Sequence, residues 1–374
     1  MSRTKLVLFA ALIALLALPA GSVFAMGHYD FSGTAAVKDD AALSDAITYT
    51  IRGVPNPSEG TEYVGWLISK SSKLSTGPMT VVGNAISHSF DSSNPRYTGE
   101  NLIRNFNTIS ITEEAVGSNP DVPAGPAVYS YSVPLSAIAH IRNLVSDWPE
   151  GSGSGILTDL QAQLEVSIQH ANKAKLAADA GDLDGTKRHL QRVIDSVNGD
   201  AGVLFYTANR KHAGLAAGTV LGDSVVNGHG GLVEAHGANA ERWSISATVQ
   251  AQKIIDTTDL SLARVLLGPG GNTVNSYLDA ALNGNPLSGD GGAKQAYAES
   301  QLMATFTLRT GAPNEDEIGG EVVEEEVVVE GIRAPGSVGD PAVPVIVHLG
   351  LVIGLMLVVF GTAIVQRRRI NVRV

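Results

Sequence analysis

At Gly155 the spacing of apolar residues changes from every second position to every third or fourth, and that switch limits what this chain can fold into. Before it, AITYTIRGV, EYVGWLIS, GPMTVV, AISHSF, TISITEE and AVYSYSV alternate apolar with polar residues and are rich in Ile, Val, Thr and Tyr. Such segments form strands half buried on one face. PNPSEG, SSKLSTG, DSSNPRYTG and GSNPDVPAG between them have turn composition. Short strands at this spacing predict an antiparallel β-sandwich over residues 46–150, after a lead-in over 26–45.

Beyond the linker PEGSGSG, Leu157, Leu160, Leu164, Ile168 and Ala171 make one helical stripe, and Leu190, Val193, Ile194 and Val197 make a second past the turn at Gly181 and Asp182. That spacing predicts antiparallel neighbouring helices. Further helices are expected over 231–256, 260–267, 273–282 and 293–308. The fold class is therefore α+β multidomain: a β-sandwich, an α-helical bundle over 151–312, and a single C-terminal transmembrane helix.

The transmembrane expectation rests on residues 343–366, VPVIVHLGLVIGLMLVVFGTAIVQ, which carry no formal charge and are followed by Arg367, Arg368, Arg369 and Arg373. At about 1.5 Å per residue such a helix spans a hydrocarbon core of about 30 Å. The positive-inside rule keeps the basic tail, 367–374, in the cytoplasm. Residues 1–25 have the basic, apolar and small-residue sections of a secretory signal peptide, with a retained anchor as the alternative. The expected localisation is the plasma membrane, single-pass, with the bulk of the chain outside. Eight acidic side chains fall between Glu315 and Glu330 with no base among them, so residues 313–342 read as an extended stalk or, alternatively, as one added edge strand.

With no cysteine in 374 residues, disulfides, cysteine-based zinc sites and thiol catalysis are excluded. The net charge of -11 and the lack of a basic stripe outside the termini argue against nucleic acid as a partner.

The stretch VPNPSEGTEYVGWLISKSSKLSTGPMTVVGNAISHSF, with NLIRNFNTISITEEAVGSNPDVPAGPAVYSYSVP after it, resembles the C-terminal, extracytoplasmic domain of anti-sigma-K-type factors. The matching positions are Pro55, Tyr63, Trp66 and Gly77, then Ile109, Ile111, Glu113, Glu114, Pro120 and Pro123. The match covers about a quarter of the chain. It implies a sandwich domain outside the membrane in proteins that regulate sigma factors. The cytoplasmic domain with which such factors grip their target has no counterpart here.

Histidine is the available soft-metal ligand, which makes His170, His189 and His236 the metal candidates. His170 and His189 lie off their apolar stripes and are expected to be staggered by about 6 Å, which favours solvated histidines. His236 shares a face with Leu232, Ala240 and Trp243 and reads as a hydrogen-bonded core histidine or as a ligand. His212 has no evident partner.

Sequence motifs for a nucleophile elbow, a P-loop or a calcium loop are lacking. Glu113 and Glu114 are adjacent on a strand and point to opposite faces, so they cannot act as a catalytic pair. Tyr63 and Trp66 are the possible recognition surface, weighed against a core role. The expected function is that of a membrane-anchored, outward-facing, non-enzymatic binding or envelope-structural protein without a cofactor. Its expected partners are the lipid bilayer and an envelope protein or polymer; a regulatory sensor and a histidine-based metal-binding protein are the alternatives.

Overall fold

The computed structural model describes residues 30–118, 120–313 and 318, all in one compact unit. The strands are β1 Ser32–Lys38, β2 Ala46–Arg52, β3 Thr61–Ile68, β4 Lys73–Met79, β5 Val81–Val82, β6 Ala85–Phe90, β7 Thr108–Ala115, β8 Ala127–Ser132 and β9 Phe306–Thr310. They form one antiparallel sheet in the order β4-β3-β7-β8-β9-β1-β2-β6-β5. The expected sandwich is thereby corrected to a single, nearly closed, barrel-like sheet. The reason lies in β9, which pairs with β8 through Tyr129↔Thr310 and Ser130↔Arg309 and with β1 through Gly33↔Leu308, Thr34↔Thr307 and Ala35↔Phe306. A strand at the far end of the helical region joins what would otherwise be two sheets.

The two edges of the sheet, β4 and β5, are separated in sequence by Thr80 alone, so the chain itself crosses the remaining seam. Side chains close it further. The ring nitrogen Nε2 of His88 lies 2.9 Å from the carbonyl oxygen of Thr76, and Asn94 Nδ2 donates to the same oxygen at 3.2 Å.

Burial lowers the proton affinity of the His88 ring, while its contact with the Thr76 carbonyl and, after it, the Asp91 charge oppose that shift more weakly. Below its ordinary pKa of about 6.5 the unfolded chain then takes up more proton than the folded one. Stability is therefore expected to fall as the pH drops from about 7 toward 5. Urea titrations of the parent and of His88→Gln check this: the variant should lose part of the slope over that window.

Alternation along the strands follows the pleat. Ile47, Tyr49 and Ile51 on β2, Phe90 on β6, Leu67 on β3, Ile109 and Ile111 on β7 and Phe306 on β9 point inward and are at most 2 % exposed. Strand β3 is buried on its other face as well. Val64, Trp66 and Ile68 form an outward cluster against which Ile318 packs.

The helices are α1 Leu102–Asn105, α2 Leu135–Val145, α3 Ile156–Asp179, α4 Leu183–Asn198, α5 Val203–Asn209, α6 His212–Thr219, α7 Ser224–Asp256, α8 Leu260–Leu267, α9 Val274–Asn283 and α10 Ala293–Leu302. Side-chain caps fix several starts. Asp182 accepts from Gly185 N at 2.7 Å, Asp223 from Val225 N and Val226 N, and Thr273 from Ser276 N. Helix α10 starts after Gly292, without a side-chain cap from that residue.

Helix α10 is tied to the β1–β2 turn, where Asp39 Oδ1 accepts from Ser44 N at 2.7 Å, Tyr297 OH at 3.0 Å and Gln301 Nε2 at 2.6 Å. This places the last helix beside β1, from which the chain enters β9.

Among the described residues no helix is long and apolar enough to cross a membrane, which corrects the expected single-pass placement. The signal peptide expected over 1–25, the span over 343–366 and the basic tail lie outside the described residues. So does the acidic segment apart from Pro313 and Ile318.

Candidate functional site

The two expected recognition aromatics take opposite faces of β3. Tyr63 points inward, 3 % exposed, with its hydroxyl donating to Pro55 O at 3.3 Å and its ring edge-on to Tyr129. Trp66 is fully buried on the outer face. Its Nε1 donates to Thr112 Oγ1 at 2.8 Å, and Thr112 donates to Glu114 Oε1 at 2.6 Å. Glu114 also accepts from Ala124 N and Gly125 N. Both aromatics are therefore packed, and neither offers its ring to a ligand.

The structure brings His170 and His189 together. Their rings stack between α3 and α4 with centroids 5.7 Å apart and an interplanar angle of 29°. The Nδ1 atoms of both are buried without a hydrogen-bond partner. The expected stagger therefore does not keep the rings apart. His236 stands apart from them on α7, with its own buried Nδ1 against the Gly291 backbone. Among the described residues no three of His, Asp and Glu gather as metal ligands would.

A different pair meets between α2 and α6. His140 Nδ1 and His212 Nδ1 lie 3.0 Å apart, and the Asn143 side-chain amide lies 3.4 Å from His212 Nδ1. His212 is 8 % exposed, and burial, with His140 and Lys211 adding to it, pushes its pKa down to about 4. The ring is thus neutral near pH 7 and keeps a lone pair for a donor or an ion. Ile138, Ile141, Leu144 and Val145 give residues 135–145 a helical stripe that the expected β-sandwich over 46–150 passed over, whereas the pairing with His212 arises 72 positions away and is not local.

A cleft of about 750 Å³ lies between β8, β9 and the loop joining α6 to α7. It opens where the β8–β9 ladder stops. Past Ser130 the strands diverge, and Val220, Leu221 and Asp223 come over the gap. Tyr131 crosses it, with its hydroxyl donating to Asp223 Oδ2 at 2.8 Å and its ring edge-on to Phe306. The exposed Arg309 guanidinium stands 5.7 Å from the centroid of the Tyr131 ring, a cation–π distance. Arg309 makes no ion pair among the described residues. Leu221, 89 % exposed, forms the apolar lip.

The hydroxyls of the floor are already engaged: Ser130 Oγ donates to Gly311 O at 2.8 Å, and Ser132 Oγ is hydrogen-bonded to Thr108 Oγ1 at 2.8 Å. Asp223, the carboxylate in the cleft, is held by Tyr131 and by the two backbone N–H groups that it caps. Such a site can bind through charge, hydroxyls and an apolar lip, but it sets no base beside a nucleophile.

No family model, curated protein or solved structure matches this chain, so none of them bears on the resemblance to anti-sigma-K-type domains.

Proposed function

We propose that this chain is a non-enzymatic binding protein whose ligand is an acidic, hydroxyl-rich polymer segment seated in the cleft between β8, β9 and the α6–α7 loop. The carrying observation is Arg309: a guanidinium with no carboxylate partner among the described residues, oriented by the Tyr131 face at the mouth of a roomy polar cleft. An arginine held over an aromatic ring is ready to take a carboxylate from a ligand through paired N–H groups. The Ser130 and Tyr131 hydroxyls donate within the protein but keep oxygen lone pairs that can accept from a polyhydroxylated backbone, and Val220 and Leu221 give such a chain an apolar lip to lie against.

Calorimetry of the full chain with oligogalacturonate, and with neutral dextran oligomers as the comparison, tests the reading. Saturable binding of the acidic oligomer is expected, weakened about tenfold or more in Arg309→Glu by loss of a charge-assisted contact. The thermal midpoint of that variant should stay within a degree or two of the parent, because Arg309 is exposed. Equal binding of both oligomers, or binding of neither, would remove the basis for this function.

A further inference from the structure

We propose that the facing imidazoles of His140 and His212, with the Asn143 side-chain oxygen as third donor, bind one imidazole-seeking d10 ion, Cu⁺ or Zn²⁺, that staples helix α2 to helix α6. This site is separate from the cleft and does not rest on the binding function assigned to it.

The geometry is that of a chelate bite. Two metal–nitrogen bonds of about 2.0–2.1 Å meeting at a tetrahedral angle set their nitrogens about 3.3 Å apart. The Nδ1 atoms stand 3.0 Å apart, so the ion enters with a few tenths of an ångström of adjustment. Both imidazoles approach with the same nitrogen, Nδ1, at angles of 48° to each other, as separate ligands of one centre do. The Asn143 amide lies 3.4 Å from His212 Nδ1, and a half-turn about its last side-chain bond exchanges nitrogen for oxygen on the side that faces His212.

Without metal, one Nδ1–H donates to the other Nδ1 and the pair is satisfied as a hydrogen bond. With metal, that proton moves to Nε2 of the same ring, both Nδ1 lone pairs face the ion, and no net proton is released. The donor set is neutral, and Lys211 adjoins it, so the monovalent ion meets less repulsion than the divalent one. Imidazole nitrogen with an amide oxygen fits neither Mg²⁺ nor Ca²⁺, which take oxygen alone.

The test uses the full chain and nitrogen-15 spectra of its histidine side chains during addition of Zn²⁺, then of Cu⁺ kept reduced with ascorbate. One equivalent of either ion is expected to move the Nδ1 resonances of His140 and His212 and to leave those of His170 and His189 in place. His140→Gln, in which the half-buried member is replaced and the buried one kept, should lose the tight equivalent, and Asn143→Ala should weaken it about tenfold. His170→Gln should bind as the parent does. Tight binding that survives in His140→Gln, that disappears in His170→Gln, or that is seen with neither ion up to 100-fold molar excess overturns the assignment. A loss of fold in His212→Gln does not enter the comparison, because His140→Gln and the resonance assignments decide it.

Discussion

Replacing Trp66 with Ala is expected to lower the unfolding free energy by about 3–5 kcal/mol, the range for emptying a fully buried indole site. The side chain sits on the outer face of β3, not within the barrel, yet it has no exposed surface. Val64, Ile68 and Ile318 pack around it, and its N–H begins the chain of hydrogen bonds through Thr112 to Glu114 and on to the backbone of Ala124 and Gly125. Removing the indole leaves a void and takes away a donor to Thr112. Trp66→Phe fills most of the void and removes only the donor, at a cost of about 1 kcal/mol. Guanidinium titrations of the two variants separate packing from hydrogen bonding. Equal midpoints for parent and Trp66→Ala would mean that the outer cluster contributes nothing to folding.

Gly155→Ala carries the second large effect. Gly155 precedes α3 and lies under the end of α2, where an added Cβ would stand 2.4 Å from Val145 C, 2.6 Å from Leu144 O and 2.6 Å from Ser146 N. All three contacts are backbone, so no rotamer change relieves them. Either α2 or α3 has to move, and overpacking of that kind costs about 1–3 kcal/mol and occasionally more. Gly153→Ala serves as the nearby comparison for a different reason: it has space but a φ of +78°, so its cost is conformational and about 1 kcal/mol. Thermal denaturation should show the greater loss at Gly155; the reverse order would place the tight approach elsewhere.

Several elements of this fold could be read from sequence because their information is local. The alternation of AITYTIR and TISITEEA, and the stripes of α3 and α4, are visible within one turn or one strand. The sandwich expectation failed at strands whose identity is decided by distant partners. SGTAAVK has small residues and little β-branched content, so β1 looks like a lead-in until β2 and β9 flank it. FTLRT is five residues long and follows a helix directly, which hides its change of period inside an apparent helix running to Leu308.

The candidate sites divide in the same way. The hydrogen bond that satisfies Trp66 comes from a residue 46 positions away, and the partner of His212 from one 72 positions away. Arg309 becomes notable only once β9 is recognised as a strand and Tyr131 is its neighbour across the gap. The expectation of separate, solvated imidazoles at His170 and His189 misses their ring contact, which depends on how α3 and α4 pack.

The placement of β9 between β8 and β1 also has a consequence for biosynthesis. By the time β8 has left the ribosome, eight of the nine described strands have been made, yet the two that need the ninth wait for more than 170 further residues. Throughout that interval β1 and β8 each offer an open row of peptide groups, the kind of margin along which nascent chains join one another. The helices made in the meantime thus fold while the sheet is still open, and the last few residues before Gly311 convert two vulnerable borders into one continuous surface.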